Sequence, residues 1–190
     1  MKFILASSSP RRKDILSRLN IPFEILHPKV TEPKYDNKET PEKYSEKLSK
    51  IKALSIAKDY KNSLVVGADT IVVLNDKIVL GKPKNKEEAY NSLNMLSGKI
   101  HKVITGVTIS YLGIDYTFSE TTLVKFLNLN KLEILKYINT DSPYDKSGSY
   151  GIQDYSSTFV EKIDGCYDNV IGFPLSRFYH TCKNILNIPM

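Results

Sequence analysis

Ser7, Ser8 and Ser9 run straight into Pro10, Arg11 and Arg12, and the chemistry this run suits is the holding of phosphate. The chain has only four arginines against 23 lysines, and two of the four stand side by side here. A planar guanidinium meets phosphate through two parallel hydrogen bonds, which an ammonium cannot do. Ser9 is placed as an N-cap and Pro10 at the first helical position. Arg11 and Arg12 then fall in the first turn, where the helix dipole opposes a cation by roughly 0.3–1 kcal/mol. A bound anion offsets that cost and also takes up the free N–H groups of the turn. The alternative is a capped surface helix with two solvated arginines.

Other stretches carry reactive side chains. Gly67-Ala68-Asp69-Thr70 interrupts two apolar runs, and a carboxylate there is costly unless it is paired, bound to a cation or satisfied by turn amides. Asp69 reads either as a general base or metal ligand at a strand end, where α/β sheets hold their sites, or as an aspartate satisfied in a turn. Lys82, in Gly81-Lys82-Pro83, is pinned at the start of a loop, because proline does not continue a central strand. The spacing of a Walker A loop is absent. Ser142 to Gln153 is a long irregular stretch with an acid, Asp145, a base, Lys146, and an amide, Gln153. Loops beyond about 12 residues in compact domains are functional or disordered, and Tyr144, Tyr150 and Ile152 argue for packing. The alternative is a structured loop with solvated charges. His27, His101 and His180 have no local partner pattern, and G-x-S-x-G is missing. His101 is expected to be a structural hydrogen-bonding group. Asp69 and Glu32 suit Mg²⁺ or Mn²⁺ better than a histidine-based centre would.

The elements that must position these groups alternate between strand and helix, which points to an α/β fold. Phe3–Ala6 is a strand, and the first helix carries Ile15, Leu16 and Leu19. Phe23–Leu26 is a second strand. Thr40-Pro41 opens a long helix to about Tyr60, with Tyr44, Leu48, Ile51 and Leu54 or Ser55 on one stripe. Leu64–Gly67 is a buried strand, and Ile71–Leu74 with Ile78–Leu80 forms a hairpin around Asn75-Asp76. Asn85 with Glu88 starts a helix that Gly98 stops. His101–Tyr111 and Tyr116–Leu129 pair across Gly113. Asn130 with Glu133 starts another helix, Thr158–Ile163 is a strand, and Pro174 opens a last helix to about Leu186. Repeats, low-complexity tracts and linkers are absent, so residues 1–190 are expected to form one domain.

Composition narrows the function classes. A content of 41% hydrophobic and 25% charged residues is ordinary for a globular chain. Apolar runs fall short of the ~20 residues that span a membrane, and the opening Met1–Ala6 is too short for a signal peptide. Cys166 and Cys182 lack metal or redox spacing and read as thiols of a reducing, cytoplasmic compartment. The net charge of +6 is spread over most segments, which argues against nucleic acid as partner. It would help a small anion arrive.

Taken together, and in order along nearly the whole chain, these stretches resemble the Maf family of nucleoside triphosphate pyrophosphatases, once described as septum-formation inhibitors. The resemblance rests on Leu5–Arg12, Glu32, Gly67–Thr70, Gly81–Pro83, Leu96-Ser97-Gly98 with His101 and Thr105-Gly106-Val107, Asp145–Gln153, Ile163-Asp164-Gly165 and Asn169–Pro174. It departs at Phe173, where leucine is usual, and at Gly106, where alanine is common. It implies a mixed twisted sheet with flanking helices, two lobes around a cleft as in inosine triphosphatases, and a homodimer. It also implies Asp69 as proton acceptor, with Lys82 and Glu32 beside it and a divalent cation on Asp69 and Glu32. Ser7, Arg11, Arg12, Thr70, Asp145, Lys146 and Gln153 would bind substrate. Arg12, Thr70 and Gln153 match the branch acting on dTTP and UTP. The resemblance thus implies hydrolysis of dTTP and UTP to the monophosphate and pyrophosphate. The alternative is a nucleotide-binding regulator of cell division that does not use its ligand.

Overall fold

Leu64–Leu74 is one continuous strand, β3, in the computed structural model, which describes residues 1–188. Asp69 and Thr70 therefore lie in the middle of a strand, not at its end or in a turn. The reason lies in the neighbours. Along one side, β5 (Ile100–Tyr111) pairs antiparallel with β3 from Val65 to Val73 without a break. Along the other side, β1 (Phe3–Ala6) pairs parallel with Leu64–Gly67, and β4 (Ile78–Leu80) pairs antiparallel with Val72–Leu74. Both short strands run toward the gap and stop there, so the β3 edge from Ala68 to Ile71 has no strand partner on that side. The run after β1, Ser7–Arg12, and the run after β4, Gly81-Lys82, thus converge on Asp69 and Thr70 from opposite directions.

The full sheet has the order β2 (Glu24–Leu26), β1, β3, β5, β6 (Ile114–Phe126), β7 (Val160–Asp164), with β4 also on β3. It is mixed: β1 is parallel to β2 and β3, and every other pairing is antiparallel. The expected β5–β6 hairpin forms over Leu112-Gly113, both at positive φ, with slightly different ends. Helices α1 (Pro10–Ser17), α2 (Pro41–Ala57), α3 (Lys86–Leu96), α4 (Lys131–Ile138), α5 (Tyr167–Ile171) and α6 (Leu175–His180) flank it. Among the described residues, no helix is long and apolar enough to cross a membrane.

Side chains alternate across a strand, so β3 feeds two faces. On one face Leu64, Val66 and Ala68 join a core with Phe3, Leu5 and Phe178, and Val72 and Leu74 join another with Leu93, Tyr137 and Phe126. Thr70 sits between them. On the other face Val65 and Ile71 likewise belong to different clusters, and Asp69 sits between those. The two lobes expected from the resemblance are these paired cores, with the cleft at their waist.

α2 crosses the second face very closely. A Cβ on Gly67 would lie 2.6 Å from the Ala53 nitrogen, and one on Gly106 would lie 2.2 Å from the Ser45 carbonyl oxygen. The buried stripe of α2 therefore runs through small residues, Ser45, Ser49 and Ala53, beside Tyr44 and Leu48, whereas Ile51, Leu54 and Ser55 are only half-buried. Asn85 and Asn130 cap α3 and α4 as their spacing predicts, the second in a full capping box.

Three local expectations change. The Ser9 hydroxyl does not cap α1; its backbone N–H instead donates to Ser7 Oγ at 3.2 Å. Asp141–Ser157 holds short 3₁₀ turns whose Tyr150 and Ile152 are buried, and a further turn, Tyr155–Phe159, delays the last strand to Val160. The final helix is two pieces, α6 and a π-helical turn Thr181–Ile185, preceded by the short α5 that no sequence signal marked.

Candidate active site

One cleft of about 540 Å³ opens where the two runs converge on β3. Its walls include Ser7, Arg11, Arg12, Glu32, Lys52, Asp69, Thr70, Lys82, Asp145, Lys146 and Gln153. Every site residue named from the sequence is therefore in one place, together with Lys52, which was not named. Five cations face three carboxylates among these residues, a balance that favours a polyanion.

Asp69 is 8% exposed and its carboxylate accepts from the Lys52 ammonium, which also holds Glu32 Oε1 at 2.8 Å. Burial pushes the Asp69 carboxyl above its ordinary range, while Lys52 and Arg12 oppose that rise. Lys52 follows Tyr44 and Leu48 at i+4 spacing, so it is the last step of a helical stripe that packs on β3. A lysine on that stripe is the signal that would have marked it.

Thr70, the next residue, points to the opposite face and meets Arg12. Arg12 donates from Nη2 to Thr70 Oγ1 at 3.0 Å, from Nη1 to Ser7 Oγ at 3.3 Å and from Nε to the Gly172 carbonyl oxygen at 2.9 Å. Of its five N–H groups, two keep no protein partner among the described residues. Desolvation lowers its pKa, yet a guanidinium stays charged near neutrality. Arg12 is thus a fixed cation whose plane the protein sets.

Arg11 behaves differently. It crosses the cleft to Asp145, donating from Nη1 to Oδ2 at 2.5 Å and from Nη2 to the backbone oxygen at 3.2 Å. Lys146 is tied into its own loop by the Ser142 carbonyl oxygen at 2.5 Å and by Asp145 Oδ1 at 2.7 Å. Asp154 holds that loop, accepting from the Ser142 hydroxyl, the Ser156 hydroxyl and the Ser156 N–H. The loop docks on the open strand edge: Ser147 Oγ donates to the Thr70 carbonyl oxygen at 3.0 Å and the Gly148 N–H to that of Gly81 at 3.1 Å. Lys82 and Gln153 are exposed at the cleft wall and have no side-chain hydrogen bond or ion pair among the described residues.

A family model described as Maf-like protein matches residues 2–185. The chain belongs to the Maf-like family. Among curated relatives, the dTTP/UTP pyrophosphatase of Thermosipho africanus is 49% identical over 94% of this chain and 91% of its own length. Those of Ruminiclostridium cellulolyticum and Clostridium perfringens are 47% and 44% identical, over 92% and 97% of this chain and 91% and 97% of theirs. A partial likeness of shape links the chain to a solved dITP/XTP pyrophosphatase of Mycobacterium abscessus, with a TM-score of 0.47 and 14% identity over 68% of this chain and 76% of that one.

His101 of this Maf-like chain stands apart from the cleft. It is buried, 2.7 Å from the Tyr150 hydroxyl, with its ring edge-on to Phe126 and Tyr150. Burial lowers its pKa to about 4, so it is neutral in the fold, as a structural hydrogen-bonding group should be. Cys182 is buried and its thiol is pushed up to about 12, which makes it inert.

The carboxylates also bear on a cation site. Asp69 and Glu32 converge on one point, where the Lys52 ammonium already stands as a cation between them. Among the described residues no group of three or more His, Cys, Asp or Glu is arranged to hold a metal ion. Two carboxylates fit Mg²⁺ or Mn²⁺ when substrate phosphate and water complete the shell.

Proposed function

We propose that this Maf-like chain hydrolyses dTTP and UTP to the monophosphate and pyrophosphate. The observation that carries this reading is the buried Asp69 carboxylate, set in the open edge of β3 among Arg11, Arg12, Lys52 and Lys82. Relatives named dTTP/UTP pyrophosphatase direct it to pyrimidine triphosphates.

The chemistry needs a held triphosphate, a placed water and neutralised charge. Arg11, Lys82 and the Ser7–Arg12 run take the phosphates, with Arg11 exchanging its Asp145 partner for phosphate oxygen. Asp69 orients a water toward the α-phosphorus and takes its proton, a task its raised pKa suits. The new bond joins the water oxygen to phosphorus. The bond from the α-phosphorus to the bridging oxygen breaks, and pyrophosphate leaves with that oxygen. Asp69 and Glu32 would hold a divalent cation, which would supply charge neutralisation and a more acidic water. Gln153 offers a donor and an acceptor to the O4 and N3–H edge of uracil or thymine, with Arg12 and Thr70 on the facing wall. Asp145 and Lys146 frame the mouth of that pocket.

Free Cys166 and Cys182 support a reducing, cytoplasmic setting. Exposed Ile100 and Leu123, on neighbouring strands, support a second copy of the chain as partner, which sedimentation would test.

The deciding assay is pyrophosphate release from UTP, dTTP, CTP and GTP with Mg²⁺ or Mn²⁺. Turnover of UTP and dTTP that falls at least about a hundredfold in Asp69→Asn is expected. Equal rates in the two proteins would overturn the role given to Asp69, and no release from any pyrimidine triphosphate would overturn the activity.

A further inference from the structure

Besides the Ser7 hydroxyl, one segment, Asn169–Gly172, seats Arg12, and it approaches by two routes. The direct route is the Gly172 carbonyl oxygen, which accepts from Nε at 2.9 Å. The second is a file of hydroxyls. Nη2 donates to Thr70 Oγ1 at 3.0 Å, Thr70 lies 2.9 Å from Thr105 Oγ1, and Thr105 donates to the Asn169 backbone oxygen at 3.3 Å. The Thr70 hydroxyl also reaches the Gly172 carbonyl oxygen at 3.3 Å. With its proton on the shorter contact to Thr105, every donor runs the same way, from guanidinium through Thr70 and Thr105 to the Asn169 carbonyl, and chains of that kind polarise one another.

What holds the segment itself is the Asn169 side chain. It is completely buried, and its Nδ2 donates to the Val103 carbonyl oxygen of β5 and to Thr122 Oγ1 of β6, both at 3.0 Å. The Val103 carbonyl can only accept, which fixes the orientation of the amide. Its Oδ1 has no partner, so burial of this amide is not compensated in full. At the far end of the segment Gly172 has φ of +134° and delivers its carbonyl to Arg12. α5 is thus anchored to the sheet at Asn169 and meets the arginine at Gly172.

We infer that Asn169, acting through Thr105 and the Gly172 carbonyl, is a positioning residue that sets the plane of the Arg12 guanidinium and thereby the nucleobase preference of the cleft. The part about nucleobase preference rests on the triphosphatase reading above. The part about Arg12 does not.

The test uses the full chain, in Asn169→Ala and in Thr105→Val, which removes one hydroxyl at nearly constant volume and serves if the first variant fails to fold. Thermal unfolding establishes that each is folded. Exchange of the Arg12 Nε–H with water, followed by nitrogen-15 NMR and assigned by its loss in Arg12→Lys, reads positioning without any turnover. Exchange about tenfold faster or more in the folded variants is expected, and an unchanged rate in them would overturn the inference. In parallel, kcat/KM for UTP relative to CTP should fall by about ten- to a hundredfold. That effect should vanish when either change is made in an Arg12→Ala background, because there is then no guanidinium to place. A fall that persists in that background would assign Asn169 a structural role only. If the wild type releases no pyrophosphate from any triphosphate, the triphosphatase reading fails, while the exchange measurement still decides the seating of Arg12.

Discussion

Lys52 and Asp69 lie on different elements and neutralise each other inside the cleft, with side chains only 12% and 11% exposed. Removing one partner leaves the other buried and unpaired, which is far costlier than the net worth of the pair. Lys52→Met should lose about 3 kcal/mol of stability in urea unfolding. Adding Asp69→Asn should recover most of that stability and none of the activity. A Lys52→Met protein as stable as the wild type would show that water reaches the pair freely.

Gln153 is exposed and has no side-chain hydrogen bond among the described residues, so its removal should leave the unfolding temperature in place. Gln153→Ala is expected to narrow the preference for UTP over CTP by about 1–2 kcal/mol in transition-state terms, the value of a lost base-edge hydrogen bond. A drop in stability with intact preference would make it a packing residue instead.

His101 gives the protein a pH dependence of its own. Its pKa falls from 6.5 in the unfolded chain to about 4 in the fold, so between those values the unfolded chain binds the extra proton. The contribution of His101 is therefore complete above 6.5 and declines as pH drops toward 4, by about 2 kcal/mol at pH 5, while the buried Asp69 carboxyl, held above its ordinary range, acts with the opposite sign. Asp145 and Asp154, both held below the ordinary carboxylate range, act only below about pH 4, a separate window. Urea titrations from pH 7 to pH 5 should show this slope in the wild type and a flatter one in His101→Gln; parallel slopes would place the titrating group elsewhere.

Gly106 sets how close α2 lies to the sheet. Gly106→Ala puts a methyl group 2.2 Å from the Ser45 carbonyl oxygen, so α2 must move outward, at a cost of about 1–3 kcal/mol. Because α2 carries Lys52, kcat should fall as well. Unfolding and UTP turnover measured together would expose the idea as wrong if stability fell while kcat held.

Much of the site could be read from residue types. Arg12, Asp69, Lys82 and Gln153 each break a local pattern, as a lone carboxylate in an apolar run does. Lys52 was hidden because a lysine on a helix is the commonest solvated residue in this chain, and only the packing of α2 on Gly67 and Gly106 turns it inward. The strand-end placing of Asp69 went wrong for a related reason. Periodicity along β3 shows an interruption, but whether the strand stops there depends on β5, which pairs across it from far along the chain. α5 is five residues long and too short to have a period, and its role comes from one buried amide.

Asp69 and Thr70 are consecutive, yet they serve opposite walls of the cleft because a strand turns each residue over relative to the last. The reaction is therefore tied to reading frame in space. Loss or gain of one residue between Leu64 and Ala68 would turn the carboxylate to the face of Arg12 and the hydroxyl to the face of Lys52 while every side chain survived. Point substitutions can tune this cleft gradually, but changes of length within β3 cannot, and lineages of such proteins should vary their loops long before they vary that strand.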